Sequence, residues 1–258
     1  MSIFSKILKI FTGKVDSPIR ETPTAAARRE LRSFIRYRVS IPLISILINN
    51  ESAIAPVDLS YGGFSIPSTS LKTQIHLSQR ITSRLRILNQ EVTTSAVLTN
   101  NAGKNYGFAF LYKTTDALLF MQQIIEFVKR GSSLAELAPE NLKDEYKNAG
   151  WQYFRGEGPT DLLIRASESP KPDILMTYKT AHAYKEIKSE NDRLSTAVGI
   201  DDDSRLSSRM KPDRNISVET LREAVYIAMG IANQKLLRDI RPFCELAIAE
   251  ILSQPPKL

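Results

Sequence analysis

Two short polar motifs early in the chain carry residue types that suit the binding of an anion. Arg32 and Arg36 stand four residues apart, and Asp58, Ser60 and Gly63 begin 22 residues later. A guanidinium group can fork onto two acceptors of a base or phosphate, and its flat face can stack on a ring. A carboxylate accepts from ring N–H groups, a hydroxyl reaches phosphate or exocyclic groups, and glycine permits close approach. Together the motifs suit an anionic partner, and a nucleotide, a nucleic acid and a membrane surface are the candidates.

The elements around these motifs are predicted to be short strands. Six strands are expected over residues 38–48, 53–58, 64–66, 81–88, 93–99 and 106–112. Closely spaced strands without intervening helices favour an antiparallel barrel or sandwich. A helix is predicted next over residues 117–130, capped by Thr115 or Asp116 and followed by Gly131. The arginine pair thus precedes the first strand, and the second motif lies between two later strands.

The order and spacing of both motifs on such strands resemble the PilZ domain family. Residues 36–43 resemble the first strand of that family, residues 57–64 its second motif, and residues 106–111 its closing strand. The resemblance covers roughly residues 28–130, about 40% of the chain. It implies a six-stranded antiparallel β-barrel with a following helix.

The resemblance also implies a ligand, because PilZ barrels are known for binding the bacterial second messenger cyclic di-GMP. It assigns to that ligand five residues: Arg32, Arg36, Asp58, Ser60 and Gly63. Leu31 precedes the pair where an arginine would allow stacking on a second nucleotide, which favours a single bound molecule. The alternatives are an ordinary Asx turn beside solvated arginines, and a PilZ-type protein–protein adaptor that binds no ligand.

Residues 131–258 are predicted to form an α+β, helix-rich C-terminal domain of unknown role. Helices are expected over residues 134–147 and from a cap at Ser217 to about residue 240, ended by Pro242, with a last helix before the Pro-Pro tail. Strands are expected over residues 161–166, 174–180 and 184–188, whereas the aromatic and glycine residues of 151–158 are predicted to form a turn. No internal repeat is found.

A rival set of chemical residues lies in this C-terminal region. Asp161, Glu186 and Lys188 loosely resemble the Pro-Asp…Glu-x-Lys arrangement of metal-dependent nucleases, although the first element here is Pro-Thr-Asp. In such enzymes two carboxylates hold Mg²⁺ and the lysine assists the attacking water. The alternative is an acidic strand start followed by a solvated Glu/Lys pair. Three consecutive aspartates in residues 201–208 could likewise hold a cation or form a solvated loop.

Charge is concentrated at the start of the chain. The formal net charge of the 258 residues is +7, and residues 1–40 hold nine basic against three acidic side chains. Residues 1–27 are predicted to form a basic amphipathic segment and linker. Within it, residues 1–13 form either an interfacial helix that contacts anionic lipid or a terminus docked on the protein itself. A signal peptide is not expected, because lysines interrupt the apolar block.

Composition excludes several other function classes. The single cysteine, Cys244, excludes an internal disulfide and a thiol-redox pair, and two histidines exclude a His-rich metal centre. No nucleophilic triad, P-loop or dinucleotide fingerprint is present. We therefore expect a cytoplasmic, non-catalytic cyclic di-GMP effector without metal or cofactor, in which an arginine strap relays the signal to a protein partner of the C-terminal region. Peripheral contact with the inner membrane through residues 1–13 is a further expectation, and nucleic acid is not an expected partner.

Overall fold

The computed structural model of the chain describes residues 35–254, except 40, 42, 50, 52, 102, 113, 142–143, 168–170 and 201–209. All the described residues belong to one compact unit. They form two antiparallel sheets and four α-helices. The predicted N-terminal helix and linker, Arg32 and the loop 201–208 lie outside the described residues.

The first sheet is antiparallel, curled and built from residues 37–111. Its eight strands are β1 Tyr37–Arg38, β2 Ile44–Ile48, β3 Ala53–Ile54, β4 Asp58–Ser60, β5 Gly63–Pro67, β6 Arg80–Ile87, β7 Gln90–Asn100 and β8 Asn105–Leu111. Their spatial order is β1-β4-β5-β8-β7-β6-β2-β3, and a short 3-10 helix, Ser68–Ser70, follows β5. The predicted β-rich N-terminal part is confirmed.

Two of the predicted strands are each divided in the structure. The segment 38–48 becomes β1 and β2, and the segment 53–58 becomes β3 and the start of β4. Each of these segments contains one proline, Pro42 or Pro56, which has no N–H to donate to a neighbouring strand. The division therefore follows from backbone chemistry that the apolar pattern does not reveal.

Alternation of side chains along the strands builds the core of this sheet. Ile44, Ile46 and Ile48 of β2 are buried, and the residues between them are partly exposed. On the same inner side Phe64 of β5 stacks on Phe108 of β8, with ring centroids 4.9 Å apart. One side of the sheet is therefore apolar and covered, and polar side chains occupy the other.

Helix α1, Thr115–Ser132, follows the last strand of the first sheet, as predicted. Its N-cap is Thr114, one residue before the predicted cap, and the Thr114 hydroxyl accepts from the Ala117 N–H. The prediction that Gly131 follows the helix was wrong, because Gly131 lies inside its last turn. A Cβ at Gly131 would lie 1.8 Å from the Ile227 carbonyl oxygen, so this glycine allows close packing against a second helix rather than ending the first.

The second sheet is an antiparallel meander of seven strands. They are β9 Ala135–Glu136, β10 Gln152–Gly156, β11 Thr160–Arg165, β12 Asp173–Lys179, β13 Ala183–Glu190, β14 Arg193–Ile200 and β15 Lys211–Pro212. Their spatial order runs from β15 to β9 in reverse sequence. The three strands predicted here are confirmed as β11, β12 and β13 to within two residues at each end.

Two expectations for this region were wrong. The predicted helix over 134–147 is instead strand β9, a 3-10 helix, Pro139–Asn141, and the short helix α2, Asp144–Asn148. The predicted turn over 151–158 contains strand β10, in which Phe154 is buried opposite Leu162. Pairing with β10 holds residues 135–136 extended, so a tertiary contact overrides their local helical preference.

Helices α3, Val218–Gly230, and α4, Gln234–Ser253, complete the fold, so the predicted helix-rich end is confirmed. Ser217 caps α3 as predicted, but the helix ends at Gly230 and Asn233 caps a new one. Pro242 lies inside α4 and does not end it. Proline removes one hydrogen bond of the helix. Buried residues on both sides of Pro242, from Leu236 to Ile251, stabilise the helix enough to offset that loss. In the part of the chain that the structure describes, every helix is too short or too polar to cross a bilayer.

Candidate functional site

A row of directly opposed residues crosses the polar side of the first sheet. Asp58 of β4 faces Ser65 of β5, and Ser65 faces Gly107 of β8. The row continues to Arg38 of β1 at one end and, beside a β-bulge, to Asn100 of β7 at the other. Opposed residues of antiparallel strands project to the same side, so these five positions share one surface.

Arg36 closes over this row from the segment just before β1. Its Nη1 lies 2.7 Å from Oδ1 of Asp58, and the Ser65 hydroxyl donates to Oδ2 of the same carboxylate at 2.7 Å. The two charged side chains keep 32% and 25% of their surface exposed, whereas Ser65 keeps 4%. The predicted site residues Arg36 and Asp58 are thus in contact and partly exposed, and the buried Ser65 hydroxyl bonds to Asp58 beneath them.

Ser60 and Gly63 form the turn that connects β4 to β5. The buried Ser60 hydroxyl donates to the Gly63 carbonyl oxygen at 3.1 Å. A Cβ at Gly63 would lie 1.9 Å from the carbonyl oxygen of Phe108, so only glycine allows β5 to approach β8 this closely. In this structure both residues shape the support beneath Asp58, and the Ser60 hydroxyl is already used within the turn.

A partly buried tyrosine just after β8 anchors the same turn. The hydroxyl of Tyr112 donates to the Tyr61 carbonyl oxygen at 2.8 Å. Burial raises the pKa of Tyr112, with a smaller contribution from Tyr61, so the phenol stays protonated and remains a donor. The Phe110 N–H adds a hydrogen bond to the Gly62 carbonyl oxygen at 2.9 Å. The β4–β5 turn is therefore held on both of its central residues.

Sequence reasoning missed Ser65 and Gly107 as members of this site. Ser65 lies between Phe64 and Ile66, and period-two alternation puts it on the side opposite these two apolar residues, with Gly63. That signal is readable from the sequence. The opposition of Ser65 to Gly107 depends on the pairing of β5 with β8, which the sequence does not specify.

The rival residues in the second sheet do not converge. Asp161 on β11 and Glu186 on β13 are separated by the intervening Thr177 of β12, and two strand spacings put their Cα atoms roughly 10 Å apart. Asp161 pairs with Arg155 at 2.9 Å, and Lys188 pairs with Glu190 at 2.7 Å. Burial raises the pKa of Glu186, and the nearby charge of Lys188 lowers it to a lesser extent.

Other reactive groups of the described residues form no centre. Among residues 35–254, outside the gaps, no three His, Cys, Asp or Glu side chains lie close enough to share a metal ion. Cys244 is buried, and burial raises its thiol pKa to about 12. A thiol in that environment stays protonated at neutral pH and reacts poorly as a nucleophile.

Two comparisons with known proteins give no match, and a third gives a low structural similarity. No protein-family model matches this sequence, and no curated protein matches it. Among solved structures, an uncharacterised protein of Legionella is similar over 36% of this chain and 90% of its own, with 16% identity and a TM-score of 0.29. A similarity at this level transfers neither fold nor function.

Proposed function

We propose that this protein binds cyclic di-GMP on the polar side of the first sheet, as a PilZ-type effector without catalytic activity. The observation that carries the proposal is the contact of Arg36 with Asp58, which joins one residue from each of the two sequence motifs. The chemistry of both side chains suits the ligand, because an arginine can fork onto guanine O6 and N7 and a carboxylate can accept from its N–H groups.

Strand pairing supports the six-stranded barrel that this proposal requires. The two ends of the sheet order are β1 and β3, and both belong to the same stretch of chain, 37–60. Within that stretch β1 pairs with β4 and β2 pairs with β3, while β2 also pairs with β6. If β1 and β2 are the two arms of one bent strand, and β3 and β4 of another, the eight segments become six strands in a closed ring. A closed barrel has no free edge and presents a curved polar outer surface.

The ion pair between Arg36 and Asp58 is compatible with ligand exchange. A pair between partly exposed side chains contributes roughly 0–1 kcal/mol to stability. A nucleotide that offers its own acceptors to Arg36 and its own donors to Asp58 can therefore replace the pair at small cost. Arg32, from the predicted strap, is proposed to add a second guanidinium. The leucine at position 31 favours one bound molecule.

The route from this site to the C-terminal region is also part of the proposal. Helix α1 contacts β1, the strand that follows Arg36, and it packs against α3. The turn between β6 and β7 also contacts α3, because Arg222 donates to the Asn89 side chain at 2.9 Å and Tyr226 donates to Gln90 at 2.7 Å. A change in the position of the strap can thus shift α3, and the surface of the C-terminal region that is proposed to bind a protein partner would change with it.

Binding of fluorescently labelled cyclic di-GMP to matched variants tests the proposal. Arg36→Ala and Asp58→Asn each remove charge-assisted hydrogen bonds, so we expect affinity to fall at least about tenfold in each. The matched control is Arg86→Ala, which removes a similar exposed ion pair of the same sheet, with Glu91 at 2.9 Å. The control should bind as the wild type does.

Three outcomes would overturn the proposal. Wild-type protein that binds no cyclic di-GMP would favour a ligand-free adaptor. Equal affinity of Arg36→Ala and wild type would mean that the ligand lies elsewhere. An equal loss in Arg86→Ala would mean that the binding depends on overall charge rather than on this site.

A further inference from the structure

We propose, resting on the function proposed above, that Ser65 and Gly107 complete the nucleotide site. Ser65 acts as a positioning residue that orients the Asp58 carboxylate toward guanine, and Gly107 leaves an open seat for the base beneath Arg36. Neither residue belongs to the two motifs that the sequence reveals.

Ser65 is placed to fix the direction of one carboxylate. Its hydroxyl donates to Asp58 Oδ2 at 2.7 Å, while Arg36 holds Oδ1. Ser65 is buried and directly opposite Asp58 in the strand ladder, so the hydroxyl can hold this geometry when Arg36 moves away. Reading the N1–H and exocyclic N–H of guanine requires two acceptor atoms in a defined plane, and a fixed carboxylate supplies them.

Gly107 lies at the centre of the row, below the Arg36 guanidinium. A Cβ built on Gly107 would lie 3.9 Å from Arg36 Nη2 and 3.5 Å from the Cβ of Asn100. Thr99 Oγ1 also lies 3.9 Å from that Cβ position, so Asn100, Thr99 and the movable end of Arg36 together border the space above the Gly107 backbone. When the guanidinium lifts, a flat base can occupy that space and stack between it and the strand.

A strand interior is an unfavourable place for glycine, and Gly107 lies opposite Asn100 beside the β-bulge of β7. Glycine weakens a strand because it loses more conformational entropy than other residues and offers no side chain for packing. The contacts that a Cβ would make at Gly107 are ordinary van der Waals distances. Close strand approach, which explains Gly63, therefore does not explain Gly107.

The test of Ser65 compares cyclic di-GMP with cyclic di-AMP, whose adenine lacks the N1–H that Asp58 would read. Ser65→Ala should lower the affinity for cyclic di-GMP about fivefold, the worth of one net hydrogen bond, and leave the affinity for cyclic di-AMP unchanged. Ser65→Thr, which keeps the hydroxyl, should restore the preference for guanine. An equal fall for both nucleotides would mean that Ser65 has only a structural role.

The test of Gly107 separates binding from folding. Gly107→Val should abolish binding because its methyl groups fill the seat, whereas its unfolding temperature should equal or exceed that of the wild type, since valine favours strands. The matched control is Ser45→Val, which places the same side chain on the polar side of β2. This control should bind normally.

The possible results discriminate this inference from the function on which it rests. Absence of binding in the wild type refutes both. Tight wild-type binding that Ser65→Ala and Gly107→Val retain unchanged refutes this inference and leaves the proposed function standing. Loss of binding in Gly107→Val together with a lower unfolding temperature would also count against the open seat.

Discussion

Helices α1 and α3 cross with their backbones in contact, and this crossing predicts a large effect of two small substitutions. A Cβ at Gly131 would lie 1.8 Å from the Ile227 carbonyl oxygen, and a Cβ at Gly230 would lie 1.9 Å from that of Val128. Neither oxygen can rotate away, since both belong to helical backbone. Alanine at position 131 therefore requires the helices to separate until the contact reaches about 3.0 Å.

The expected cost follows from two opposing effects. Alanine is preferred over glycine inside a helix by about 1 kcal/mol. Overpacking of a closely packed core costs about 1–3 kcal/mol, and the upper end applies here because Val128, Ile227 and Ala228 beside the crossing are fully buried. Gly131→Ala should therefore lower the free energy of unfolding by about 2 kcal/mol. For a folded unit of this size that corresponds to a fall in Tm of about 4–8 °C.

Thermal unfolding followed by circular dichroism measures this effect. The matched control is Gly107→Ala, whose Cβ meets nothing nearer than 3.5 Å and which should not lower the Tm. Gly230→Ala should destabilise by a similar amount, and the double variant by less than the sum, since one separation of the helices accommodates both methyl groups. A Gly131→Ala protein as stable as the wild type would refute the close crossing.

Two further predictions concern the polar groups of the second half. Burial raises the pKa of Glu186 above its ordinary 4.5, so the folded state binds the Glu186 proton more tightly than the unfolded state does. The folded state therefore loses stability as pH rises from 4.5 through the raised pKa. Glu186→Gln should therefore be more stable than the wild type at pH 7, with a gain that shrinks toward pH 4; a constant or reversed difference in Tm would contradict this. Tyr226→Phe removes the hydrogen bond to Gln90 and should cost about 1 kcal/mol, seen in urea unfolding. Tyr184→Phe, whose hydroxyl bonds to none of the described residues, should leave stability unchanged, and equal stability of Tyr226→Phe and wild type would argue against the contact.

Local patterns predicted those elements whose signals are complete within a few residues. Short strand-like runs predicted β6, β8 and the three central strands of the second sheet, and a hydroxyl cap predicted the start of α3 at Ser217. The predicted helix at residues 135–136 was wrong because their extended state depends on pairing with β10, a contact between residues far apart in sequence. The prediction that Pro242 ends a helix was wrong because buried contacts on both sides outweigh the one lost hydrogen bond.

The candidate site divides in the same way. Arg36 and Asp58 could be selected from the resemblance of both short motifs to the PilZ family, since each motif is complete within a few residues of sequence. The partners beneath them could not, because the row of Asp58, Ser65 and Gly107 exists only once three strands are paired in register. The sequence also does not predict the close contacts of Gly131 and the proposed role of Gly107. The first depends on the crossing of two helices, and the second on an arginine that lies above the strand.

Calorimetric titration of unlabelled cyclic di-GMP into the full-length wild-type protein at physiological salt tests the central claim most directly. We predict a single transition with a Kd in the micromolar range or tighter and one ligand per chain. No heat of binding and no rise in Tm with the ligand in excess, from a protein that is folded, would contradict the claim.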